Sequence, residues 1–460
     1  MVLVFVYAGS LFSQNNLSHT IVGNWQGDLT LPNGLKIGLI FKISEDAGIL
    51  KGMLDVPAQG AKDLPVEKVE LIGDSVVFNV KLINGIFSGI LDKSSQSLEG
   101  KWSQNGATFD MKLARKEKIT EQKRPQEPKG PFPYKAEEIT YANKTAGITL
   151  AGTLTLPSGV EKAPAVILIS GSGAQNRDEE IMGHKPFWVI ADYLTRRGFA
   201  VLRVDDRGVG GSTGNIREAT SEDFAGDVLT GIEYLKTRLE IDAGKIGLAG
   251  HSEGGLIAPI AAVKSKDVAF IVLLAGPGMV GEQIIYLQAR LINKGMGMTD
   301  EQADANTKMQ EAIFQVIKNE TDSVAAREKL RNAYTRGNYN TLTEDQKKGL
   351  DKRIAAVNTP WFKFFLVYDP RPVLEKVTCP VLAMFGSKDL QVPADENLKA
   401  IDEALKKGGN KKYKTMKLEG MNHLFQNCQT GLIAEYGQIE ETISPVALET
   451  LGNWIQETLK

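Results

Sequence analysis

A chain of 460 residues is too long for one small domain and has room for two or three hydrophobic cores. Its 54 basic and 56 acidic residues leave a net charge of −2 with no long basic run, which argues against a nucleic-acid partner. The two cysteines, Cys379 and Cys428, are too few for a disulfide scaffold, and no CxxC or HExxH spacing points to a metal, so neither metal nor cofactor is expected.

The first residues, MVLVFVYAGSLFSQ, are apolar, too short to span a membrane, and end in small and polar residues. Residues 1–14 therefore read as a signal peptide without the usual basic start, which implies export to the periplasm or beyond; an ordinary first strand is the alternative. No membrane span is expected. From 20 to 114 short alternating runs such as LKIGLIFKI and DSVVFNVKL, separated by Gly, Asn, Asp and Ser, predict an all-β meander or small barrel. The echoing segments GNWQGDL and GKWSQNG place Trp25 and Trp102 where it closes, as packing residues. A charged and then proline-rich stretch, 115–134, reads as a semi-rigid linker.

From 135 to 460 the pattern changes. An antiparallel pair, EEITYANKTAGITLAGTLTLPSG, precedes apolar strands that alternate with helices: APAVILIS, FAVLRV, KIGLAG, VAFIVLLAG and, later, CPVLAMFG and KYKTMKL. Strands that are apolar throughout, each followed by a helix, predict an α/β fold with a mostly parallel sheet covered on both faces. Residues 281–375 break this rhythm with charge-laced helical segments and read as an inserted helical cap.

The stretch KIGLAGHSEGGLIAP is a strand, a turn and a helix, with Gly250-His251-Ser252-Glu253-Gly254 as the turn. Gly-x-Ser-x-Gly in that context is a nucleophile elbow, in which the serine hydroxyl stands clear of the sheet and the glycines leave room for the neighbouring strand and helix. A serine hydroxyl at its free pKa is a poor nucleophile and needs a base, itself oriented by an acid. Of four histidines, His19 is amino-terminal, His184 lies in a loop, and His251 lies inside the elbow, pointing away from the serine's path. That leaves His423, after the last strand. Asp389 follows the penultimate strand in the order Ser, Asp, His; Asp369 in YDPRP is the runner-up but precedes that strand. The oxyanion calls for two amide donors, the N–H of Glu253 and, from ISGSGAQNRDEE, that of Ser172, with Gly171 and Gly173 allowing the substrate close approach.

GHSEGG, the acid in GSKD, the histidine in GMNH, SGSGAQNRDE and DDRGVGGSTG together resemble an α/β-hydrolase of the bacterial EstD-type carboxylesterase branch over about residues 134–460. The resemblance implies hydrolysis of small to medium acyl esters through an acyl-enzyme, with Ser252 as nucleophile, His423 as base and acid, and Asp389 as its orienter, without a metal. A serine peptidase using the same residues is the alternative, with Asp178, Glu179 and Glu180 anchoring a free amine. A third reading makes the meander a targeting module. DDRGVGGSTG lacks the Walker lysine and reads as a structural crossover. TPWFKFFLVYDP offers Trp361 and Phe362 as substrate contacts. Oligomeric state is not readable from the sequence.

Overall fold

The computed structural model describes residues 20–30, 36–57, 61–104, 107–118 and 123–460. The expected signal peptide lies outside them. The chain divides into two compact units, one comprising residues up to Lys123 with 181–183 and 434–440, the other comprising the remainder.

The first unit is one antiparallel sheet of nine strands: β1 (Gly23–Thr30), β2 (Lys36–Asp46), β3 (Ile49–Val56), β4 (Ala61–Val66), β5 (Lys68–Ile72), β6 (Ser75–Val80), β7 (Gly85–Asp92), β8 (Ser97–Gln104) and β9 (Ala107–Lys116). Their order is β4-β3-β2-β1-β9-β8-β7-β6-β5, so the first and last strands pair. Strict alternation drives this: SVVFNV in β6 buries Val76, Phe78 and Val80 and turns the residues between them outward. The buried faces meet across the sheet, with the Phe41 ring 4.8 Å from Phe78 and 6.1 Å from Trp102. Strands that are not neighbours touch, so the sheet curls over its own core in the manner of a barrel. Trp25, opposite Phe41 in the β1–β2 register, is fully buried in the same core, as is Trp102.

The second unit begins within the proline-rich stretch: the Gln126 side chain accepts from the Thr442 amide at 2.6 Å and donates to the Ile443 carbonyl at 2.7 Å. Its strands are β10 (Tyr134–Asn143), β11 (Ile148–Pro157), β12 (Ala163–Ile169), β13 (Ala200–Val204), β14 (Ile241–His251), β15 (Val268–Leu274), β16 (Val381–Gly386) and β17 (Tyr413–Leu418). They form a sheet ordered β10-β11-β13-β12-β14-β15-β16-β17, antiparallel at β10, β11 and β13 and parallel from β13 to β17. Consecutive residues of β12 and β16 are buried, which requires cover on both faces. Helices α1 (Pro186–Arg196), α2 (Ser221–Lys236) and α3 (Gly254–Lys264) follow β12, β13 and β14 in turn. After β12 the chain steps to one side through β13 and returns to the other through β14. The carboxyl ends of β12 and β14 therefore flank a switch point, where open α/β sheets bind ligands.

Between β15 and β16 lie α4 (Gly281–Gly295), α5 (Asp300–Asn319), α6 (Ser323–Thr335), α7 (Glu344–Val357), α8 (Pro360–Val367) and the turn α9 (Arg371–Leu374), with no strand among the described residues. Capping boxes start two of them: Thr299 with Gln302 on α5 and Thr343 with Gln346 on α7. These helices bury a core of their own around Ile313, Phe314, Leu330, Ile354 and Leu366. The chain then closes with α10 (Ala394–Lys407), α11 (Ile433–Tyr436) and α12 (Pro445–Thr458), which packs beside α1.

Candidate active site

Ser252 follows β14 directly and has φ 53°, in the left-handed region that a residue with a side chain occupies only under constraint. The constraint comes from both sides. The Ser252 amide donates to the Leu274 carbonyl at 2.8 Å, and its carbonyl accepts from the Gly255 amide at 2.9 Å as α3 begins. A Cβ on Gly250 would sit 2.0 Å from the Gly254 carbonyl oxygen, and one on Gly254 would sit 2.1 Å from that of Ile169. The glycines of the elbow therefore serve close approach, while the unusual backbone conformation falls on the serine itself.

His423 and Asp389 stand on the turns after β17 and β16. The His423 Nδ1–H donates to Asp389 Oδ2 at 2.7 Å, and both residues are only 4% exposed. The other carboxylate oxygen of Asp389 accepts the amides of Gln391 at 2.8 Å and Val392 at 2.9 Å, so the acid is fixed before it meets the imidazole. The His423 turn is held by Asn422, whose side-chain oxygen accepts the amides of Leu424 and Gln426, each at 3.0 Å. Phe425 completes the turn with φ 61°. Asp369, by contrast, pairs with Arg371 at 2.7 Å.

His251 is the residue that sequence reasoning undervalued. Its ring lies 4.7 Å from that of His423, and its Nε2 is 3.0 Å from the His423 carbonyl oxygen. Because His251 adjoins Ser252 in the chain, this contact brings the His423 turn to the elbow. Ser252 and the His423 Nε2 are not joined by a hydrogen bond among the described residues; such bonds are commonly long before substrate binds.

Gly171 closes the other side: a Cβ there would come within 3.2 Å of Ser252 Cβ and 3.1 Å of Glu179 Oε1. The Gly171 amide already donates to Glu179 Oε1 at 2.6 Å, whereas the amides of Ser172 and Glu253 meet no protein acceptor among the described residues. The Glu253 carboxyl is buried and accepts the Ser221 hydroxyl at 2.6 Å. Burial raises the pKa of that carboxyl, against the pull of its bonds to Ser221 and Trp361 and of the nearby Ser172 side chain.

Trp361 reaches the site by donating its indole N–H to Glu253 Oε1 at 2.7 Å. Phe362 does not: its ring packs edge-on against Phe314 in the cap core, 5.8 Å between centroids. Adjacent residues on a helix point about 100° apart, so one of the pair had to turn away. The acidic triplet is not a free cluster either. Asp178 pairs with Arg203, Glu179 is 3% exposed and bound to Gly171 and His251, and Glu180 alone is exposed.

The DDRG segment holds the loop that contains Gly171, Ser172 and Gly173. Asp205 takes the Arg177 amide at 2.8 Å and its guanidinium at 2.7 Å; Asp206 takes the Ser170 hydroxyl at 2.7 Å and the Gln175 amide at 2.9 Å. Burial pushes the Asp206 carboxyl up to about 7 despite these bonds, with Glu253 and Glu179 adding to the shift. Asp206, Gly173, Glu253, Ile167, Phe224 and Ile257 are among the residues lining a cavity there. Among the described residues no cluster could hold a metal ion, and no helix is long and apolar enough to cross a membrane.

The chain is similar to known proteins over part of its length. Esterase EstD of Thermotoga maritima is 24% identical over 277 residues, 60% of this chain and 58% of its own length. Human dipeptidyl peptidase 8 is 30% identical over 157 residues, 32% of this chain and 17% of its own length. The chain thus spans little more than half of the first relative and a sixth of the second. Among solved structures, Est1E of Butyrivibrio proteoclasticus with ferulic acid covers 70% of this chain and 97% of its own, with TM-score 0.41 and 20% identity. The Pyrococcus furiosus esterase Pf2001 covers 75% of this chain and 100% of its own, with TM-score 0.43 and 14% identity. Sheet order, elbow and family relationship together make the second unit an α/β-hydrolase. The family model for X-Pro dipeptidyl-peptidases matches residues 146–423, from the hairpin before the first parallel strand to the histidine of the last turn, and the chain belongs to this S15 family.

Proposed function

We propose that the chain is a carboxylesterase acting on small to medium acyl esters. The observation that carries this reading is the buried Asp389–His423 pair, 2.7 Å long, held against an elbow whose serine is strained at φ 53°. His423 Nε2 takes the Ser252 proton as Oγ attacks the ester carbonyl. The resulting oxyanion is met by the amides of Glu253 and Ser172. The imidazolium, stabilised by Asp389, returns the proton to the departing alcohol and leaves an acyl-serine. Water deprotonated by His423 then attacks the acyl group, and Ser252 leaves with the proton.

The family relationship favours a second reading, cleavage of peptide bonds after an amino-terminal Xaa-Pro pair. Against it, two of the three acids expected to anchor a free amine have other partners, Asp178 with Arg203 and Glu179 with Gly171 and His251. Turnover of p-nitrophenyl acetate and butyrate beside Gly-Pro and Ala-Pro p-nitroanilides separates the two. The ester reading predicts faster ester cleavage, abolished in Ser252→Ala; faster anilide cleavage would reverse the assignment, and activity surviving in Ser252→Ala would remove both.

A further inference from the structure

Glu179 and His251 form a second buried acid–imidazole pair, and the hydrolytic steps above assign it no proton to carry. The pair is 2.9 Å between Glu179 Oε1 and His251 Nδ1, with the residues 3% and 7% exposed. Each end is tied to a different part of the site. Glu179 Oε1 also accepts the Gly171 amide at 2.6 Å, next to Ser172, and His251 Nε2 lies 3.0 Å from the His423 carbonyl oxygen. Glu179 adopts φ 50° to do this, a conformation that costs free energy in a residue with a long side chain.

We propose that Glu179 and His251 are positioning residues: a fixed relay of hydrogen bonds that sets the oxyanion loop and the catalytic histidine turn at one distance across the elbow. The proposal rests on Ser252 and His423 acting as described above. The donor count fixes its chemistry. A carbonyl oxygen only accepts, so His251 Nε2 must carry a hydrogen. Glu179 Oε1 already accepts from Gly171, so the contact with Nδ1 is made best by a second ring hydrogen donated to a carboxylate. His251 is then an imidazolium with both nitrogens engaged. Burial works against that charge, but the Glu179 carboxylate and the His423 carbonyl outweigh it and hold the imidazole above its usual pKa. A displacement of about 1 Å between reacting groups lowers a rate by about 100-fold, and such a displacement is what loss of the relay would permit.

Steady-state hydrolysis of p-nitrophenyl acetate by wild type, Ser252→Ala, Glu179→Gln, His251→Asn and the double variant tests this. Each single variant is expected to lose about 10- to 100-fold in kcat with KM within about threefold, because alignment and not substrate binding is disturbed. The double variant should fall no further than the worse single one, since the two residues act as one unit. In wild type, imidazole 15N NMR, assigned by the signals missing from His251→Asn, should show both His251 nitrogens staying protonated to a higher pH than those of a free imidazole. Ester turnover that depends on Ser252 but has kcat within twofold of wild type in folded Glu179→Gln would overturn the relay alone. So would a His251 ring that loses its second proton at or below the pH of a free imidazole, which decides the matter in wild type even if the variants fail to fold. Turnover unaffected by Ser252→Ala would instead remove the nucleophile, and the relay with it.

Discussion

Asp389–His423 and Glu179–His251 are both buried carboxylate–imidazole pairs, and their rings lie 4.7 Å apart, yet their second nitrogens have different surroundings. His423 Nε2 has no hydrogen-bond partner among the described residues, whereas His251 Nε2 is capped by a backbone carbonyl at 3.0 Å. An imidazole with one nitrogen held by a carboxylate and the other available takes up and returns a proton; one with both nitrogens bonded only holds its place. Burial, distance and partner type are nearly the same in the two pairs. The difference in their proposed roles follows from the surroundings of the second ring nitrogen alone.

The largest effect expected from breaking this contrast is on the pair proposed to move a proton. Asp389→Asn leaves the ring of His423 in the wrong tautomer, and kcat for p-nitrophenyl acetate should fall by about 10⁴-fold with the fold intact. Glu179→Gln changes the same chemical group on the other pair and should cost far less, as set out above. A loss from Asp389→Asn no greater than that from Glu179→Gln would erase the distinction.

A third buried carboxyl sharpens it further, because the proposed oxyanion role falls to the amide of Glu253 and not to its side chain. Trp361→Phe removes the indole N–H that bonds Glu253 at 2.7 Å and should lower stability by about 1–3 kcal/mol in denaturant titration while kcat changes only a few-fold. A loss in kcat as large as that of Asp389→Asn would give Glu253 a chemical role.

The smallest expected effect concerns Asp206, with a carboxyl pushed up to about 7 by burial. Its folded pKa lies above the value of an unfolded aspartate, so between about pH 4 and pH 7 the folded chain holds a proton that the unfolded chain has lost. Its contribution to stability therefore declines as pH rises through that window and is level above it. Asp206→Asn should flatten that slope in melting curves measured from pH 5 to 8, and an unchanged slope would place the titration elsewhere.

How legible all this was differs by element. The elbow, Asp389 and His423 were readable because each sits where a parallel strand ends, and strand ends are marked by local apolar runs. The all-β first unit announced itself by alternation. Glu179 and His251 were not readable as partners: they are joined across 72 residues by the switch between β12 and β14, which sets no periodicity in either segment. Phe362 was misplaced for a related reason, since a run of aromatics on α8 does not say which of them faces the cap core. The DDRG segment, expected to be a crossover, also holds the loop after β12 through Asp205 and Asp206, contacts that only tertiary hydrogen bonds reveal.

Labelling with a fluorophosphonate probe, followed by peptide mapping of wild type and His423→Ala, tests the central claim most directly. The account predicts an adduct on Ser252 in wild type and its loss in the folded variant. An adduct elsewhere, no adduct on folded wild type, or equal labelling without His423 would contradict it.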